Sequence, residues 1–133
     1  MKNIYTILLL TLFSCNGTPK DKPLEFCHDS GFTQKIEHLS FDDVDKIKSM
    51  HGKFIEVEGI LHYFFEDVSI YAYGAPKTER PALWLDYVNI PDSLFKKFSL
   101  KPVRIIGRVD TAHKGHLGAY IGTLDSSFCI KEI

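Results

Sequence analysis

The side chains best suited to chemistry fall into three groups. The most distinctive is the stretch 110–118, Asp-Thr-Ala-His-Lys-Gly-His-Leu-Gly, which sets His113 and His116 three residues apart with Lys114 between them. Two imidazoles and an ammonium among glycines can recognise an anion or begin a metal site. Zinc needs a third and a fourth ligand, and His62 and Asp110 are the candidates to supply them. The plainer alternative is a glycine-rich hairpin whose histidines are solvated or cap loop carbonyls. The second group is aromatic. Tyr71, Tyr73 and Trp84 lie on the polar rows of two alternating segments, where flat rings can stack on sugars, bases or peptide side chains. The competing expectation is that they pack beneath a helix. Tyr71, Tyr73, Trp84, His113, Lys114 and His116 are therefore the candidate ligand-binding residues. The third group is the three cysteines, Cys15, Cys27 and Cys129.

Catalytic patterns are missing from the sequence. There is no Gly-x-Ser-x-Gly elbow, and no glycine-rich phosphate loop ahead of a helix. The pair Asp42–Asp43 sits at a predicted helix start, where capping and the helix dipole account for it. Arg104 and Arg108 share one strand face, as do Glu56 and Glu58, and cross-strand ion pairs are the natural expectation for them. We assign no catalytic residue, no bound metal and no cofactor from sequence.

The elements that must position these groups follow from hydrophobic period. Ser40 can cap a helix whose Phe41, Val44 and Ile47 share a face and which Gly52 can stop. After Gly52 the period becomes two. Ile55, Val57, Leu61 and Tyr63 alternate with Glu56, Glu58 and His62, and Gly59 interrupts the inward row, as a sharply bent strand requires. Glu66-Asp67 marks a turn. Val68, Ile70 and Ala72 form a second strand's inward row, and Leu83, Leu85 and Tyr87 a third's. Pro91-Asp92-Ser93 opens a short helical stretch with Leu94, Phe95 and Phe98 on its apolar side. Val103, Ile105 and Val109 give a fourth strand. A fifth runs from about Ala119 to Ile130, with a kink at Asp125-Ser126-Ser127.

The fold class read from this order is mainly β: a small five-stranded barrel with an N-terminal helix and a short helix between strands three and four. The layout resembles the OB-fold. The resemblance covers residues 52–130 and is architectural. It implies that strands two and three, flanked by the loop between strands four and five, form the binding face. The chain also resembles uncharacterised exported bacterial proteins that pair this layout with a Gly-His-Leu-Gly-Ala-Tyr loop, here residues 115–120. That resemblance supplies no activity.

The N-terminus has its own pattern. Lys2 precedes an almost wholly apolar run, residues 4–13, which is too short to span a bilayer as a helix. It closes on Leu12-Phe13-Ser14-Cys15, which resembles the lipobox of bacterial lipoprotein precursors. The resemblance implies that residues 1–14 are a signal peptide, that cleavage precedes Cys15 and that its sulfur carries diacylglycerol. Residues 15–25, with two prolines and several charges, then read as a lipidated tether, and 26–133 as the OB-fold-like domain. With Cys15 lipidated, Cys27 and Cys129 remain, either as a disulfide in an oxidising compartment or as two free buried thiols.

Composition narrows the function classes. The formal charge is −1, and losing Lys2 with the signal takes it to −2. This balance argues against nucleic acid, whose binders carry a basic excess. The expected protein is exported and lipid-anchored to a membrane, at the periplasmic face or cell surface of a bacterial envelope. Its expected role is a non-catalytic binding or adaptor module for a protein, peptide or glycan. The alternatives are a structural envelope component without a ligand site, and a metal-dependent enzyme or metal carrier using His113 and His116.

Overall fold

The computed structural model describes residues 21–28, 32–74 and 76–133. The expected signal peptide, 1–14, Cys15 and the first part of the expected tether lie outside the described residues. Packing begins before the predicted domain start: Leu24 lies against the core, and Glu25 opens the first strand.

In chain order the elements are β1 (Glu25–Cys27), β2 (Glu37–Leu39), α1 (Val44–Ser49), β3 (Phe54–Phe64), β4 (Asp67–Tyr71), β5 (Ala82–Leu85), α2 (Asp92–Phe95), β6 (Pro102–Asp110) and β7 (Gly122–Glu132). Strands β3 to β7 close into a five-stranded mixed barrel. Strand β3 pairs antiparallel with β4, β4 with β5, β6 with β7, and β6 with β3; β5 and β7 run parallel. Two short strands extend the sheet. β1 pairs antiparallel with β7, and β2 runs parallel to β3. Neither stood out in the sequence, because three residues are too few to show a period.

Alternation sets the barrel's inside. Ile55, Val57, Leu61, Ile70, Leu83, Leu85, Val103, Ile105 and Val109 are all buried and form one core. Gly59 stands where β3 bends around the barrel, and a Cβ there would strike the Tyr71 carbonyl oxygen. Phe95 and Phe98, from α2 and the 3₁₀ turn that follows it, close the core between β5 and β6. The expected kink in the last strand is present: Ser126 has φ 50°, and the β6–β7 register shifts between Ile106 and Arg108.

The predicted helix needs correction. Only Val44–Ser49 is helical, and its cap is Asp43, whose Oδ1 accepts from Lys46 N at 2.9 Å. Ser40 builds a turn instead. Its Oγ accepts from Asp42 N at 3.1 Å and its carbonyl from Asp43 N at 3.2 Å. Such local bonds give the backbone an alternative to helix. Phe41, Ile47 and Met50 still enter the main core, so this segment does not cover the outer aromatic row.

Cys27 lies directly opposite Cys129 in the β1–β7 register, their Cα atoms 4.0 Å apart and their sulfurs within disulfide distance. Among the described residues no helix is long and apolar enough to cross a membrane.

Candidate functional site

The loop 111–121, between β6 and β7, lies across the outer face of β4 and β5 and divides it into two regions. One is filled. Asp67, at the start of β4, accepts hydrogen bonds from Ser69 Oγ at 2.6 Å, Tyr120 Oη at 2.8 Å, Tyr71 Oη at 3.4 Å and Lys77 Nζ. Burial alone would raise its pKa, but the bonds from Lys77, Ser69 and Tyr120 outweigh it and hold the carboxyl at about 2. Burial, then the hydrogen bond to Asp67, push the Tyr120 hydroxyl up. His62 is buried beside them, its Nδ1 3.5 Å from Asp67 Oδ2 without a hydrogen bond. Burial, then the Lys77 charge, push its pKa down against the pull of Asp67. Lys77 Nζ and Arg80 Cζ lie 5.2 and 5.5 Å from the Tyr71 ring centroid.

The other region is open. Beside it runs a groove of about 760 Å³, lined on one side by Trp84 and residues 85–88 and on the other by Asp110, Ala112, His113, Lys114 and Gly115, with Thr123 and Asp125 from β7. A smaller recess, lined by His51 and Arg108, shares Asp110, Ala112 and Asp125 with it.

The loop wall is built by local bonds. Asp110 Oδ1 accepts from Ala112 N at 2.8 Å and from His113 N at 3.4 Å, and Oδ2 lies 2.5 Å from His113 Nδ1. This pairing raises the His113 pKa and lowers that of Asp110. Thr123 Oγ1 donates to the His113 carbonyl at 2.8 Å, and Tyr120 N donates to the Lys114 carbonyl at 3.2 Å. Gly115 then crosses Trp84 at φ 66°, so close that a Cβ would lie 2.7 Å from Trp84 Cβ and 2.6 Å from Tyr120 Cδ2. Trp84 and Tyr120 meet edge to face, 5.3 Å between centroids. Arg108 holds both oxygens of Asp125, at 2.9 and 3.1 Å. Asp86 is different. It is exposed, and the one contact to its carboxylate among the described residues is Val88 N at 3.4 Å. Lys114 Nζ likewise has no hydrogen bond or ion pair among the described residues. The groove thus offers an indole, an unsatisfied carboxylate and an unpaired ammonium.

Of the six residues proposed from sequence, the structure brings Trp84, His113 and Lys114 together at this groove. Tyr71 is buried under Lys77 and Arg80 and leaves no free ring face. Tyr73 is half-exposed in a separate recess with His38, Phe41 and Glu58. His116 turns toward Glu66, 3.7 Å away, and does not join His113. His62 sits with Asp67. Among the described residues no three His, Cys, Asp or Glu side chains gather closely enough to hold a metal ion. Arg104 pairs with Glu58 across β3 and β6 as expected, whereas Arg108 turns to Asp125 on β7.

Sequence reasoning missed Asp67, Tyr120, Asp86 and Asp125. Asp86 carried a usable signal, a carboxylate two residues from Trp84 on the same outward row. Asp67 read only as a turn residue, because the donors that complete its shell beyond its own strand come from Lys77 and from Tyr120. No protein-family model matches the chain, and no curated protein matches it.

Proposed function

We propose that the chain is a lipid-anchored protein of a bacterial cell envelope, and that its barrel is a non-catalytic binding or adaptor module. The groove beside Trp84 would take a short segment of a protein, peptide or glycan. The observation that carries this reading is the groove itself: an aromatic floor with an unsatisfied carboxylate, Asp86, and an unpaired cation, Lys114. Binding sites combine apolar surface with a few such polar groups.

The OB-fold-like reading of the barrel is supported by its strand pairing, by Gly59 in the long first barrel strand, and by α2 between the third and fourth. Export is supported by the lipobox-like Leu12-Phe13-Ser14-Cys15 and by Cys27 and Cys129 at disulfide distance, since such bonds persist outside the cytosol. A charge near neutrality speaks for a partner other than nucleic acid.

A photo-crosslinking residue at Val88, which is exposed at the groove's edge, tests the site in cells. One discrete adduct is expected, absent when the crosslinker sits at Lys48 and lost on Trp84→Ala. Identical products at Val88 and Lys48, indifferent to Trp84→Ala, would refute the site. That result would favour the second reading, a structural envelope component. Its supporting observation is that the β4 half of the expected binding face is filled by the protein's own Tyr120, Lys77 and Arg80.

A further inference from the structure

Five of the seven large apolar side chains exposed among the described residues lie toward one end of the barrel. Phe64 and Phe65 form the tip between β3 and β4. Leu100 is fixed beside β3 by Leu100 N to Leu61 O at 2.8 Å and Leu61 N to Lys101 O at 3.1 Å. Ile133 is held by its amide to Pro102 O at 3.2 Å. Leu117 comes alongside through His116, 3.7 Å from the Glu66 that follows Phe65. Phe65 is 93% exposed, Leu117 89% and Leu100 61%.

Two of these leucines are in an unfavourable backbone state. Leu100 has φ 63° and Leu117 φ 55°. Turns of that hand favour glycine or asparagine, and a branched side chain there costs about 1 kcal/mol. A strained leucine that packs inside repays the strain by burial. Leu117 is almost wholly exposed and Leu100 mostly so, so neither side chain recovers much of that cost by burial. Nearby charges are largely matched: Lys101 meets Glu132 at 2.9 Å and Lys131 meets Glu25 at 3.7 Å. The surface therefore fits an apolar partner better than a charged one.

The tether enters at this same end, where Leu24 O accepts from Glu132 N at 2.8 Å. Cys15 is nine residues earlier in the chain, at most about 30 Å away when extended. We infer that this end of the barrel docks on the lipid bilayer, with Phe65, Leu100 and Leu117 inserted at the headgroup–acyl boundary. The inference rests on the proposed anchoring at Cys15. Tethering at Cys15 keeps this apolar end at high local concentration beside the bilayer. Trp84 is half-buried, with Gly115 packed across it and Tyr120 edge-on at 5.3 Å, so it is covered in a way that Phe65 is not.

Trp84 is the sole tryptophan, which supplies an internal control. Full-length protein purified from bacterial membranes is reconstituted into phosphatidylcholine vesicles containing bromine-labelled acyl chains. The Phe65→Trp variant is expected to lose fluorescence relative to unbrominated vesicles, and the wild type, reporting Trp84 alone, to keep it. An F65W signal equal in both vesicle types at saturating lipid overturns the inference, whether the residue is then found in water or covered by a protein. Equal quenching in wild type overturns the orientation. The mass of the N-terminal peptide, read on the same sample, decides lipidation at Cys15 independently; a chain without diacylglycerol is tested by the same quenching at high vesicle concentration.

Discussion

The two halves of the outer β4–β5 face carry the same kinds of side chain and use them in opposite ways. At Asp67 a carboxylate is ringed by donors from three segments, and the aromatic rings Tyr71 and Tyr120 are spent on it. Beside Trp84 a second carboxylate, Asp86, has one long contact and faces an open groove. A buried charge persists only when its partners are complete, so the first region is closed to ligands. A charge left in water meets no such demand and remains available. The presence of Asp, Tyr, Lys and His therefore does not mark a site; unsatisfied valence does.

The largest expected effect tests the closed half. Asp67→Ala leaves Tyr120, Ser69 and Lys77 without their shared acceptor and should cost about 3 kcal/mol, measured by urea unfolding. A loss no larger than that of Asp86→Ala, which should stay within about 0.5 kcal/mol, would erase the distinction. Next is Gly115→Ala, which joins the halves. Its Cβ has no room against Trp84 and Tyr120, and about 2 kcal/mol of destabilisation is expected. The change should also shift Trp84 emission as the loop lifts. Trp84→Ala should cost less, about 1–2 kcal/mol, because the indole is only partly buried, yet it should remove ligand capture altogether.

The pH dependence is the finest test. His62 has a depressed pKa when folded, so the unfolded chain takes up its proton first, and stability falls as pH drops below the ordinary histidine value of about 6.5. Asp67 is depressed from 3.8 to about 2. Its contribution is present above 3.8 and is lost as pH falls toward 2. Asp67→Asn should therefore reduce the loss of unfolding free energy on the acid side, and His62→Gln the loss below the histidine range. Groove variants such as Asp86→Asn should leave both losses unchanged.

Much of the barrel was legible because period-two alternation is a local property. Ile55, Val57, Leu61, Ile70, Leu83, Leu85, Val103, Ile105 and Val109 all face inward as their spacing implied. The kink near Ser126 was legible from a polar interruption in an apolar run. The helix was overread because Ser40 and Asp43 are both competent caps, and the choice between them depends on which backbone amides each oxygen reaches. The candidate site was half legible: Trp84, His113 and Lys114 meet, and Tyr71, Tyr73 and His116 do not join them.

The sequence by itself determined which faces of the strands turn inward and that the segment 110–118 is rich in polar groups and glycine. Only the tertiary structure decided where that segment lies. It folds back over β4 and β5, so that Tyr120 seals Asp67 while Gly115 leaves the ground beside Trp84 open. Alternation follows from neighbouring residues, whereas the shell around Asp67 is completed by Tyr120, 53 residues away in the chain, and no local pattern records that contact.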